Sequence, residues 1–275
     1  MKKIIFFVFL AMMTGISYAQ DAEFSQYFAA PLYLNPAFAG TDSSARLNLN
    51  FRDQWPKMPG MFITYNMECS QYLKAIHGGF GLMAWNDNAG SGTMKTTNFS
   101  GMYSYQMNVT NDFTLSIGVQ GAYMEKVLDW SKLTFGDQID PRYGFIYTNH
   151  YANPIDKNHY FDYSAGIVGY TKVFYFGASV DHITQPDQGF ISLPTPLPMK
   201  LMGNLGAMIP LDNSPVPIYL SPNIIYIAQQ SFQQTNIGMY VQRSWLVAGM
   251  WYRYSPTNGD AIVATIGLQR WRFML

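Results

Sequence analysis

Past residue 40 the chain is written with a period of two. Ala45, Leu47, Leu49 and Phe51 alternate with Arg46, Asn48, Asn50 and Arg52. Phe113, Leu115, Ile117, Val119 and Tyr123 alternate with Thr114, Ser116, Gly118, Gln120 and Met124. Successive side chains of a strand point to opposite faces, so this spacing puts one set on each side of a sheet. Weaker runs of the same kind cover 61–70, 76–86, 94–106, 160–170, 172–183, 199–209, 217–228, 232–242, 245–254 and 260–270. Together they predict about twelve strands of roughly ten residues, near the ~9–11 that a tilted membrane strand needs.

The chemistry of the two faces decides what kind of sheet this is. A secreted β-sandwich also alternates, but its outward face carries Lys, Glu and Asp. These strands instead pair apolar residues with Gly, Ser, Thr, Asn and Gln. Charged residues make up 12% of the chain and hydrophobic ones 48%, against about 25% charged in ordinary soluble domains. No apolar run beyond residue 20 reaches the ~20 residues of a membrane helix. An uncharged polar face suits a wet lumen and the other face suits lipid, so the pattern predicts an all-β, transmembrane antiparallel barrel. Aromatics at 16%, with 20 Tyr and 6 Trp, fit the same picture, because rings with a polar tip collect at membrane interfaces.

The N-terminus sets the route to that membrane. Met1-Lys2-Lys3 is a positive n-region, Ile4 to Met13 is apolar, and Ser17-Tyr18-Ala19 offers small residues for cleavage before Gln20. The apolar run is too short for an anchor, and no cysteine follows it to carry a lipid. The expected organisation is a signal peptide at 1–19, an N-terminal periplasmic or plug segment at 20–42, and an outer-membrane barrel at 43–275. Cleavage leaves 15 bases, 17 less Lys2 and Lys3, against 17 acids, a balance that argues against nucleic acid. The single cysteine, Cys69, reads as a buried, inert thiol. Polar turn clusters separate the strands at 86–90, 108–112 and 255–259. Two connections are longer: 127–159, and 184–198 with its prolines. Long loops at one end and short turns at the other are the usual barrel asymmetry.

The stretch Phe24-Ser25-Gln26-Tyr27-Phe28-Ala29-Ala30-Pro31-Leu32-Tyr33-Leu34-Asn35-Pro36-Ala37-Phe38-Ala39-Gly40 is too broken by Pro31 and Pro36 to be a strand. It resembles the N-terminal signature of the PorP/SprF family of Bacteroidetes. Further matches are Arg52-Asp53-Gln54-Trp55, the run Asp129-Trp130-Ser131-Lys132-Leu133-Thr134-Phe135-Gly136-Asp137-Gln138-Ile139-Asp140, and His182-Ile183-Thr184-Gln185-Pro186. The resemblance implies a barrel of about fourteen strands in the outer membrane of a Gram-negative bacterium, and with the runs read above 12 to 14 strands are expected. It also implies a role in type IX secretion and gliding motility. Its implied partners are outer-membrane lipid, the other secretion components and the C-terminal region of a secreted adhesin. Phe24, Ser25, Gln26, Tyr27, Asn35, Pro36, Ala37 and Gly40 are its signature and plug positions. Trp55, Asp129, Trp130, Phe135, Gly136, Asp137 and Gln138 belong to its other motifs. Members usually continue past 260–270 with a further hairpin ending in an aromatic strand. This chain stops at Trp271-Arg272-Phe273-Met274-Leu275, so a barrel lacking that hairpin is expected.

Nothing in the sequence assembles a reaction centre. His77, His150, His159 and His182 are scattered without metal-ligand spacing, and no nucleophile elbow, phosphate loop or cysteine pair occurs. No catalytic residue, metal or cofactor is expected. Asp181 and His182 are adjacent on a strand run, which puts them on opposite faces and apart from one another. Gly78, Gly79, Gly81, Gly166, Gly169 and Gly177 fall inside strands. They either clear lumen space for an inserted partner segment or relieve close backbone approaches, the second being the commoner use. Asn35-Pro36-Ala37 also resembles an element of fatty-acid transporters, which keeps a channel for small or hydrophobic molecules as the alternative function.

Overall fold

The computed structural model describes residues 21, 23–24, 26–42, 44–140, 142–147, 156–191, 194–256, 261–270 and 273–274. The expected leader at 1–19 and Ser25 lie outside the described residues.

All twelve expected strand runs form strands. They are β1 (Arg46–Gln54), β2 (Phe62–Leu73), β3 (Gly78–Ala89), β4 (Met94–Asn108) and β5 (Thr114–Leu128). Two short strands, β6 (Ile139–Asp140) and β7 (Gly144–Phe145), pair only with each other inside the long loop that follows. The series resumes with β8 (Lys157–Tyr170), β9 (Phe174–Asp181) and β10 (Lys200–Ala207). The short β11 (Ile209–Pro210) precedes β12 (Ile218–Gln229), β13 (Phe232–Arg243), β14 (Leu246–Tyr254) and β15 (Ala261–Arg270). A two-residue β16 (Phe273–Met274) turns back on β15.

The long strands form one antiparallel sheet in the order β1-β2-β3-β4-β5-β8-β9-β10-β12-β13-β14-β15-β16, with β11 added beside β12. Every long strand pairs with its neighbour in the series, so each connection is a hairpin-type return and the sheet is an up-and-down meander. Among the described residues β1 is not paired with β15 or β16, so backbone hydrogen bonds do not close the sheet into a ring.

The alternation read from the sequence is the alternation of burial. Along β1, Leu47, Leu49 and Phe51 point outward and are exposed, while Arg46, Asn48, Asn50 and Arg52 point inward. On the outer face a row of rings crosses the strands: Phe51 meets Tyr65 at 5.2 Å, Phe99 pairs with Tyr123, and Tyr123 meets Phe161 at 5.6 Å. Beyond this row the outward residues turn polar: Asn86, Thr97, Glu125 and His159 lie side by side on neighbouring strands. A second row towards the other end includes Phe80 beside Tyr103 and Tyr105 beside Ile117. Phe99 and Tyr105, on the same face of β4, are about 20 Å apart at ~3.3 Å per residue, near the ~25 Å apolar band between aromatic girdles of a membrane barrel. Cys69 is free and half-buried, with the outward parity of Met67; it is not the enclosed thiol that the sequence suggested.

Following the strands up and down places the connections. The two long ones, 129–156 and 182–199, leave from the same end of the sheet, together with the turn at 55–61. The turns at 74–77, 109–113, 171–173 and 244–245 all lie at the opposite end.

Candidate functional site

The described residues of the 21–42 stretch lie against the inner face of the sheet, and the sheet bends round them. Two prolines and a run of small residues keep this stretch out of the ladder. Tyr27–Ala29 is a single 3₁₀ turn, Pro31–Leu34 a single helical turn with Pro31 at its start, and Pro36–Phe38 a second 3₁₀ turn. Proline suits the start of the latter two because its missing N–H would have no partner there. Asn35 links the two later turns: its Oδ1 accepts from Ala37 N at 2.9 Å, and its Nδ2 donates to the carbonyls of Ile167 at 3.1 Å and Ala178 at 3.0 Å.

A segment with so little internal hydrogen bonding must find partners elsewhere, and the inward polar residues of the strands provide them. Asn50 of β1 donates to the Ala29 carbonyl at 2.9 Å. Glu68 of β2 accepts from Leu32 N at 3.2 Å and Tyr33 N at 3.3 Å, held in place by Asn48 and Asn66. Ser179 of β9 donates to the Leu34 carbonyl at 2.8 Å, Ser116 of β5 to Ala37 at 2.7 Å, and Ser104 of β4 to Ala39 at 2.6 Å. Gln106 reaches the Gly40 carbonyl at 2.8 Å. These serines and asparagines gave the strands their uncharged polar face.

The glycines have a more definite role than the sequence allowed. A Cβ at Gly79 would collide with the Ala39 carbonyl, one at Gly118 with the Ala37 backbone, and one at Gly166 with the Asn35 side chain. Gly40, at φ +64, lies directly against Gly79. Here the strands do leave room for an inserted segment, and that segment is the chain's own N-terminal stretch. Gly78, Gly169 and Gly177 follow the other reading, since their neighbours belong to adjoining strands or the turn beside them.

Apolar anchors complete the fit. Tyr27 packs with Met202, Ile225, Ile227 and Trp251, and its hydroxyl accepts from Gln234 Nε2 at 3.0 Å. Leu32 and Ala39 pack with Met83 and Met102 on the other side of the interior. Phe24 meets Tyr33 edge-on at 5.2 Å. A cavity of only about 10 Å³ remains between Phe24, Tyr27, Tyr33, Lys200, Met202 and Ile227.

At the long-loop end the segment is latched by charge. Asp21 accepts from His182 Nε2 at 2.7 Å and pairs with Lys200 Nζ at 3.4 Å. His182 Nδ1 meets Asp162 at 2.7 Å, and Lys200 also pairs with Asp181 at 3.7 Å beside the Tyr33 ring. Burial opposes the charge of Asp21, but Lys200 and His182 hold its carboxyl well below the usual carboxylate range. Burial likewise opposes the charge of His182, and Asp21 with Asp162 pushes it up to about 9. Burial raises the Glu23 carboxyl nearby. The expected separation of Asp181 and His182 fails for a local reason. β9 ends at Asp181, and His182 takes a left-handed φ of 58°, which turns both side chains into the same interior cluster.

Of the signature positions, Phe24, Tyr27, Asn35, Pro36 and Ala37 are buried in this interior, and Gly40 abuts the wall. Gln26 is different: its side chain is exposed, and its carbonyl accepts from Ala29 N at 3.1 Å. The other motif lies elsewhere. Trp55 is exposed in the β1–β2 turn against Phe62. Asp129 caps the turn Trp130–Lys132 through Ser131, Trp130 stacks on Phe135 at 6.2 Å, and Gln138 accepts from Phe135 N at 2.8 Å. Gly136 and Asp137 form the turn between them. The sequence did not single out Asp21, Glu68, Asp162 or Lys200. For Glu68, Asp162 and Lys200 the available signal was a formal charge at an inward strand position in a chain with few charges; Asp21 precedes the strands and offered no such signal.

No curated protein and no solved structure matches the chain. The profile described as type IX secretion system membrane protein PorP/SprF matches residues 16–275. That span holds both the interior segment and every strand of the sheet, and the chain belongs to the PorP/SprF family of type IX secretion system membrane proteins.

Proposed function

We propose that this secretion component sits in the outer membrane and assists the secretion or surface anchoring of a partner protein, such as a gliding adhesin, without catalysis. The observation that carries the reading is the family match running unbroken through segment and sheet. The outward apolar belt between two aromatic rows supports a barrel-type membrane location. A non-catalytic role is supported by the state of the best-placed histidine: both ring nitrogens of His182 are taken by carboxylates, so neither is free to act as a base. The partners of this reading are outer-membrane lipid, the other secretion components and the C-terminal region of the exported protein.

The test is to delete the gene, measure surface delivery of candidate clients, and recover the tagged chain from detergent-solubilised membranes. Loss of delivery on deletion, with co-purification of a client's C-terminal region, is the expected result. Unchanged delivery together with recovery of the chain alone would falsify it, and solute uptake in liposomes would favour a channel instead.

A further inference from the structure

The N-terminal segment has a direction. Its first described residue, Asp21, is fixed to His182, Lys200 and Gln229, all at the long-loop end of the sheet. Tyr27 and Ala29 lie further along, beside Gln234, Trp251 and Asn50. Asn35 reaches Ile167 in the short-turn half of β8 and its β9 partner Ala178, and Ala39 and Gly40 meet Gly79, Ser104 and Gln106 at the short-turn end. The next residues lead to β1, which starts at that end. The segment therefore threads the interior from one mouth to the other.

We infer that this thread is a permanent stopper, and that the exported partner is served without any polypeptide passing through the interior. The segment is gripped along its whole length. Hydrogen bonds reach it from β1, β2, β4, β5, β8, β9 and β13. Slots at Gly79 and Gly118 accept its backbone and the slot at Gly166 accepts the Asn35 side chain, and a Cβ at any of the three would collide with it. A movable plug would need a smooth or wet contact surface. Withdrawal here would break the charge latch, the Tyr27 cluster and the glycine slots together. Residues 27–29 also tie β14 to β1 from inside, through Trp251 and Asn50, across the seam where β1 is left unpaired with β15 and β16 among the described residues. The thread is thus both filling and strut. This inference rests on the secretion reading only for its statement about the client.

A disulfide between thread and wall tests it. A Cβ at Gly81 would lie 3.3 Å from the Ala39 Cβ, close to the ~3.5–4.5 Å of a disulfide. Ala39→Cys with Gly81→Cys, made in a Cys69→Ser background, should form the bond in the folded full-length protein. Should Gly81→Cys prevent folding, Ala37→Cys with Ser116→Cys joins the same thread to β5. Oxidised and reduced forms should then give the same planar-bilayer conductance and deliver the client to the surface equally. Failure of either folded pair to crosslink would overturn the threading. A conductance or a delivery that appears only on reduction would overturn the permanence. If deletion of the gene leaves delivery unchanged, the secretion reading fails, and the conductance comparison still decides whether the stopper moves.

Discussion

The latch around His182 is built from groups that the rest of the chain largely avoids, and its energetics follow from their pairing. Breaking a buried pair by removing one partner typically costs about 3–5 kcal/mol, because the remaining charge loses its compensation. Asp162→Ala leaves His182 facing Asp21 alone and should cost an amount of that order. The pH dependence has a definite sign. His182 titrates higher in the fold than the ordinary value of 6.5, at about 9. Its contribution is therefore complete below about pH 6.5 and is lost as the pH rises through about 9. Asp21 works in the other direction: its carboxyl is held down, so its contribution is present above about pH 4 and is lost as the pH falls towards its folded value. The latch should be strongest between about pH 4 and 6.5. Heat-modifiable gel migration, scanned against pH, reads this directly. The unfolding temperature should decline between pH 7 and 10, and His182→Gln should flatten that decline. A wild-type curve level across the alkaline range would remove the latch from the account.

The strands show how much of the architecture period-two spacing can carry, and where it stops. Every long strand from β1 to β15 was legible, because a sheet with lipid on one side and polar partners on the other must alternate at every level. The polar face was legible as well, since Ser104, Ser116 and Ser179 already stood at inward positions. Their partners were not legible, because spacing says which face a serine takes and nothing about what lies opposite. Asp181 and His182 were misread for a related reason. Parity holds only while the strand continues, and a single left-handed residue ended it. Gly79, Gly81 and Gly166 could be read only as a choice between two uses, which needed the thread in place to resolve. That choice gives a matched comparison. Gly118→Ala puts a methyl into the Ala37 backbone and should cost about 1–3 kcal/mol of overpacking strain. Gly101→Ala meets nothing within 4 Å and should be close to neutral. Equal unfolding temperatures for the two variants would show that the thread does not hold the wall this closely.

The molecule as a whole resolves two opposite demands on one sheet: an outer face for hydrocarbon and an inner face that needs polar partners. On the outer face, Leu49→Arg places a charge among exposed apolar side chains, where a mid-membrane position costs about 2–4 kcal/mol. Membrane yield should fall, while Leu211→Arg in the β11–β12 connection leaves it unchanged. On the inner face the thread replaces the second layer that a water-soluble fold would use. Burying a large apolar side chain contributes roughly 1.5–3 kcal/mol, so Phe24, Tyr27 and Leu32 together supply on the order of 5 kcal/mol. That is comparable to the whole net stability of an ordinary fold, about 5–15 kcal/mol. Water entering an emptied interior could satisfy the serines and asparagines, but it could not replace this apolar contact or the link from Trp251 to Asn50. A chain lacking residues 21–40, with residues 1–20 kept, should therefore reach the membrane in a form that migrates as unfolded without heating and is cleaved rapidly by protease. If the shortened chain kept the heat resistance of the full one, the thread would be cargo in the interior, and the sheet would hold its curvature by its ladder alone.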